Sequence, residues 1–185
     1  MAWESIGAKV PKHALWNPPP PRLLKVNLDA VVTTNNVTLS AVCRNRIGEI
    51  LSLWSHTTDP GDPLWAEAKA ALFAVDKMIE EAFSYFVLEG DALNVINPLV
   101  CSLILPHWSV KYFIVVIRFK LSSDSFWSVR HFVRDSNSLA HNIVCWVSAS
   151  QFQGRIPISL VPPSLLGKDG EGDGPSSSDF RVCFL

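Results

Sequence analysis

Three acidic residues, Asp29, Glu67 and Asp91, stand where strand and helix signals change. The alternation Leu24-Lys25-Val26-Asn27-Leu28-Asp29 reads as a strand with one buried face, ending at Asp29 opposite Val26 and Leu28. Glu67 falls in the first turns of a helix opened by Asp62-Pro63, and Asp91 directly follows the apolar run Tyr85–Leu88. If the first and fourth strands are neighbours, Asp29 and Asp91 lie side by side at the sheet centre and Glu67 projects toward them from a covering helix. Ligands collect in such a crevice at strand ends. Clustered carboxylates repel one another until a cation neutralises them. Mg²⁺ suits the site because it takes hard oxygen ligands and is completed by substrate phosphate. Two such ions, with Mn²⁺ as a substitute, can clamp an in-line displacement at phosphorus. Each residue also has an ordinary alternative. Asp29 could end a strand in a turn, Glu67 could favour the positive helix N-terminus, and Asp91 could cap the next helix. The signal is the conjunction of the acids with the element order.

That order follows from local pattern. Leu24–Asp29, Leu39–Arg44 and Glu49–Trp54 form a meander, with Arg46-Ile47-Gly48 turning between the second and third strands. Asp62 caps a long helix, Pro63 suits its first position, and Leu64, Ala68, Ala71, Leu72, Val75, Ile79 and Ala82 form its apolar stripe. A buried strand at Tyr85–Leu88 leads to a short helix over Asp91–Leu99, ended near Pro98. Trp108–Leu121 has strand propensity in Ile114–Ile117. Trp108, Tyr112, Val115 and Phe119 share one helical face, however, and the segment is assigned as a helix. Phe126–Val133 is a fifth strand. Ser136 caps a last helix that turns Leu139, Ala140, Ile143, Val144 and Val147 to the core. Three strands followed by alternating helices and strands make an α/β domain with a mixed sheet.

The 185 residues are 48% hydrophobic and 18% charged, a globular mix that argues against wholesale disorder. The net charge of -1 leaves any nucleic-acid contact to a local patch. Residues 1–21 read as a Pro-rich linker and 164–185 as a disordered Gly/Ser/Asp-rich tail, which leaves 22–163 as the folded domain. Cys43, Cys101, Cys145 and Cys183 lie far apart without metal-ligand spacing, which argues against structural zinc. The N-terminus MAWESIGAKV carries no apolar signal-peptide core. The expectation is an intracellular monomer, nuclear or cytoplasmic, with reduced thiols and no membrane contact.

Several segments together resemble the ribonuclease H-like domains of plant retroelements. They are Trp16-Asn17-Pro18-Pro19-Pro20 with Leu24–Ala30, Val42–Asn45 with Gly48-Glu49-Ile50, Ala66–Ala70, Glu89–Ala92, Val133–Asn137 and Leu139-Ala140-His141. The resemblance runs from about Trp16 to Pro163. It implies a five-stranded mixed sheet in the order 3-2-1-4-5 and Mg²⁺-dependent cleavage of the RNA strand of an RNA–DNA hybrid. It also implies metal ligation by Asp29, Glu67 and Asp91.

The chain departs from this pattern in two places. Active members carry a fourth acid on the last helix, where this chain has His141, which joins the catalytic candidates as a neutral replacement. Bacterial-type members place a His in a Gly-containing loop after the last strand, where this chain has Arg134-Asp135-Ser136-Asn137; nearby His131 reads as a packing or edge histidine. Candidate contacts to nucleic acid are Arg130, Arg134 and Asn137, with Arg118 and Lys120 as further cations. Trp108 and Trp127 could stack on bases or belong to the core. Two alternatives stand beside the nuclease: a nucleic-acid-binding module with weak or absent catalysis, and a retroelement remnant used for protein interaction.

Overall fold

The computed structural model describes residues 17–122, 126–132, 134 and 137–166. The expected linker before Asn17, the tail after Leu166, and Asp135, Ser136 and Cys183 lie outside these residues. Strands β1 (Leu24–Val32), β2 (Val37–Arg44) and β3 (Ile50–Thr58) form the expected antiparallel meander. Asn45 builds the second turn: its side-chain oxygen accepts from the Ile47 and Glu49 amides, and Gly48 takes φ 88°. Helix α1 (Pro63–Glu80) starts at Asp62, whose carboxylate accepts from the Trp65 amide at 3.0 Å. Strand β4 (Tyr85–Gly90) then pairs parallel with β1, and β5 (Phe126–His131) pairs parallel with β4. Between them lie α2 (Leu93–Val100) and α3 (Lys111–Leu121), and α4 (Ser138–Ser150) follows β5.

Among the described residues the sheet has six strands in the order β5-β4-β1-β2-β3-β6, not five. The five long strands keep the expected 3-2-1-4-5 order. The addition is β6, Gly154–Arg155, which pairs with Trp54 and Ser55 on the outer edge of β3. Two residues are too few to carry a periodic sequence signal.

Helices α1 to α3 cover one face of the sheet and α4 the other. Alanines 66, 68, 70, 71 and 74 are fully buried on α1, and their small side chains let this helix lie close against β1 and β2. The expectation that β1 buries a single face is corrected. Val26 and Leu28 face α1, while Lys25, Asn27, Asp29 and Val31 are buried beneath the α4 side. The strand also runs on to Val32, so Asp29 does not end it.

Trp108–Leu121 is helical as expected, beginning with a 3-10 turn at Trp108–Val110, but the opposite face packs. Val110, Ile114, Ile117 and Leu121 are buried, whereas Trp108, Tyr112, Val115 and Phe119 are exposed. The segment is apolar nearly all round, so periodicity alone does not choose between the faces. Trp127 packs against the core, and its indole N–H donates to the Leu121 carbonyl. Arg118 donates to the carbonyls of Pro98 and Cys101 at the end of α2, and Lys120 pairs with Asp76 at 3.0 Å. Both of these candidate phosphate contacts are thus engaged within the helical layer. Among the described residues, no helix is long and apolar enough to cross a membrane.

Candidate metal centre

The register of the two central parallel strands opens the site. Pairing of β1 with β4 runs from Leu24↔Phe86 to Asn27↔Glu89 and then stops. Beyond that point β1 stays paired with β2, with Asp29 opposite Ser40, while the β4 chain turns away into α2. Asp29 and Asp91 flank the resulting gap. The cap at Asp62 sets the phase of α1 and places Glu67 over the same gap, so that ligand oxygens of Asp29, Glu67 and Asp91 all lie within 4.8 Å of one another.

The ordinary alternatives for these acids do not hold. The N-cap of α2 is Ala92, with no side-chain cap, so Asp91 does not cap that helix. Glu67 is not a solvated helix-end charge, because its Oε2 is buried without a hydrogen-bond partner. Asp29 is 5% exposed, and its Oδ1 accepts from the Ala30 amide at 2.8 Å.

Burial pushes the Glu67 carboxyl well above its ordinary range, and the charges of Asp29 and Asp91 push it further. Burial and Asp29 raise Asp91 in the same way. The Arg134 guanidinium partly offsets both shifts. An orphaned buried oxygen, hard donors and mutual repulsion are what a divalent cation would relieve, so the residues present fit Mg²⁺ or Mn²⁺.

These shifts have a consequence for stability. A carboxyl raised in the folded state keeps a proton that the unfolded chain releases. The contribution of Glu67 to the stability of the cation-free protein is therefore fully present below the ordinary carboxylate value of about 4.3 and is lost as pH rises through the raised Glu67 value. In EDTA, Tm should fall across that window. Glu67→Gln should flatten the fall and raise Tm at neutral pH by about 3 °C or more. A Tm that climbs with pH in wild type and is lowered by Glu67→Gln would contradict the assignment of repulsion.

His141 points into the cluster from α4, as expected. Its Nδ1 lies 2.9 Å from Asp29 Oδ2, and its Nε2 lies 3.8 Å from the sulfur of Cys145, one turn further along the helix. His131 is an exposed edge residue whose Nε2 stands 3.2 Å from the Asp91 carbonyl oxygen. Arg130 and Arg134 are exposed.

Asn137 is a correction. It is 2% exposed, and its amide is used inside the protein. Its Nδ2 donates to the Leu28 carbonyl at 3.0 Å, and its Oδ1 accepts from Asn27 Nδ2 at 3.2 Å. It ties the start of α4 to β1 one residue before Asp29. Sequence reasoning missed the buried polar network it joins. Arg44 donates to Asn27 Oδ1 at 2.8 Å, Asn27 donates to Glu89 Oε2 at 3.2 Å, and Lys25 pairs with Glu89 at 3.0 Å. The available signal was the polar run Lys25, Asn27, Asp29 on one face of a central strand, which only a second covering layer buries. Asn137→Ala would remove the side-chain donor to the Leu28 carbonyl and one of the two acceptors of the Asn27 amide, and should cost about 2 kcal/mol in denaturant unfolding. A change within about 0.5 kcal/mol would show that the clamp does not hold α4.

The profile of the reverse transcriptase-like family matches residues 27–147. The chain belongs to this family. Its fold is that of ribonuclease H, as three solved structures illustrate. Ribonuclease H1 from the halophilic archaeon Halobacterium salinarum superposes with a TM-score of 0.62 at 19% identity, over 70% of this chain and 98% of that one. LC11 ribonuclease H1, solved in complex with an RNA/DNA hybrid, gives 0.61 at 12% identity, over 70% and 99%. The prototype foamy virus protease-reverse transcriptase gives 0.55 at 14% identity, over 74% of this chain and 22% of that one. No curated protein matches the sequence.

Proposed function

We propose that this ribonuclease H-like domain hydrolyses the RNA strand of RNA–DNA hybrids with a divalent cation held by Asp29, Glu67 and Asp91. The observation that carries this reading is the convergence of the carboxylates within 4.8 Å around a buried, unpartnered Glu67 oxygen. When bound, the cation supplies Lewis-acid stabilisation of the charge that develops at the scissile phosphate and makes water acidic enough to attack it.

The protein's own residues supply the rest. The Ala30 amide fixes one oxygen of Asp29, and His141 approaches the other. Burial and neighbouring carboxylates raise the Glu67 and Asp91 carboxyls, and a bound cation would favour their ionised forms, which couples cation capture to proton release. Arg130 and Arg134, both exposed, supply phosphate contacts on the β5 side. A hybrid is recognised by the shape of its helix, and the 2′-hydroxyl distinguishes the RNA strand. The same fold is solved with an RNA/DNA hybrid in LC11 ribonuclease H1.

One observation favours the second reading, a binding module of low activity. His141 places an imidazole against Asp29, where it adds no negative charge. A panel of labelled hybrid, duplex DNA, duplex RNA and single-stranded RNA, incubated with Mg²⁺ and with EDTA, separates the readings. RNA-strand products from the hybrid alone, absent in EDTA, are expected. Hybrid binding without products in any divalent cation would overturn the nuclease in favour of the binding module.

A further inference from the structure

We infer that this chain pairs with a second copy of itself through the outer face of α3, rather than remaining the monomer expected from the sequence. The inner face of α3 is core: Val110, Ile114 and Ile117 are fully buried. The outer face is apolar too, with Trp108, Tyr112, Val115 and Phe119 exposed by 82%, 69%, 52% and 77%. A helix that is apolar all round belongs in an interior, so its outer face needs a partner. Leu103 and Leu105, in the connection that leads into Trp108, are each 88% exposed. An aromatic side chain buries about 150–250 Å², so these six residues offer on the order of 800 Å² per copy, which is what each side of a stable complex buries.

The spacing fits this face to itself. The four outer residues of the helix lie four, three and four positions apart, the repeat of helices that pack along their length. They are symmetric about the midpoint between Phe113 and Ile114. A second copy laid antiparallel therefore sets Trp108 of one against Phe119 of the other, and Tyr112 against Val115, about a twofold axis. Such a contact requires a patch complementary to itself. Charge agrees. Residues 112–117 carry no charge, as the centre of a protein interface does, whereas a phosphate backbone would need cations there. Of the flanking cations, Arg118 donates to the carbonyls of Pro98 and Cys101, and Lys120 pairs with Asp76, within their own copy. In the antiparallel pair Lys111 lies level with the neutral Val116 of the other copy.

Sedimentation equilibrium on the full chain tests this. The variants are Tyr112→Lys, Val115→Glu and Phe119→Glu, with Ile47→Glu on the turn between β2 and β3 as a control, each checked for folding by circular dichroism. Wild type should dimerise with a Kd on the order of 10 µM or tighter. Each α3 variant should weaken the dimer about hundredfold or more, because each substitution enters the interface twice, and Ile47→Glu should leave it unchanged. Mixing Tyr112→Lys with Val115→Glu should give a dimer tighter than either variant forms alone, because the antiparallel register brings the opposite charges together. A wild type that stays monomeric at about 100 µM overturns the inference, whatever else covers the face. So does a dimer that survives all three α3 variants, a dimer lost equally in Ile47→Glu, or a mixture no tighter than its parts. A monomer whose hybrid binding is lost in Phe119→Glu but kept in Ile47→Glu assigns the face to nucleic acid and likewise overturns the inference.

Discussion

On the proposed function, Asp29→Asn is expected to abolish Mg²⁺-dependent hybrid cleavage, with a loss of about 10³-fold or more. Asp29 is the member of the cluster held by the central strand, 5% exposed, with one oxygen fixed by the Ala30 amide at 2.8 Å. The amide variant keeps the shape and an oxygen to accept that hydrogen bond, so the fold should stay intact. It removes one of the three clustered negative charges that would hold a cation. A neutral amide is a poor substitute for an anionic ligand, and the affinity of the site for a divalent cation falls with it. The cation-free variant should be no less stable than wild type, because one source of repulsion on Glu67 and Asp91 is gone. Cleavage kinetics with thermal unfolding checks both halves. Retained cleavage in a folded Asp29→Asn variant would place the chemistry elsewhere.

His141→Asp is expected to raise Mg²⁺-supported cleavage, by about tenfold, which corresponds to about 1.36 kcal/mol of transition-state stabilisation. The wild-type imidazole sits 2.9 Å from Asp29 and contributes no anionic oxygen to a hard cation. A carboxylate in its place adds one. The variant also adds repulsion, so it should be less stable than wild type in EDTA and regain stability with Mg²⁺. The side chain is partly exposed at the start of α4, and Leu139, Ala140 and Ile143 hold the helix by its other face. The substitution therefore acts on the site rather than on the packing. Lower activity in His141→Asp under Mg²⁺ would assign the imidazole a positive part, such as carrying a proton.

The site was legible in the sequence because its three acids sit at element boundaries that strong local signals define. Asp62-Pro63 fixed where α1 starts, and Glu67 followed from it. The run Tyr85–Leu88 before Glu89-Gly90-Asp91 marked a buried strand and its end. The core face of α4 was readable for the same reason: Leu139, Ala140, Ile143, Val144 and Val147 are all buried, and His141 lies on the flank that reaches Asp29.

What the sequence hid depended on a second layer. Lys25 and Asn27 look like the solvent side of a half-buried strand, and only α4 folding across the sheet turns them into a buried network with Arg44, Glu89 and Asn137. Asn137 accordingly read as a surface contact. The two faces of α3 were indistinguishable because Trp108, Tyr112, Val115 and Phe119 are as apolar as Ile114, Ile117 and Leu121. The edge pair Gly154–Arg155 carried too few residues to signal a strand.

Anomalous diffraction from crystals grown in Mn²⁺ tests the central claim most directly, because it locates the cation independently of turnover. A peak bounded by the carboxylates of Asp29, Glu67 and Asp91 is the result this account predicts, and the peak should vanish in Asp29→Asn. A fully occupied Mn²⁺ elsewhere on the protein, with Glu67 Oε2 still buried and unpartnered, would contradict it.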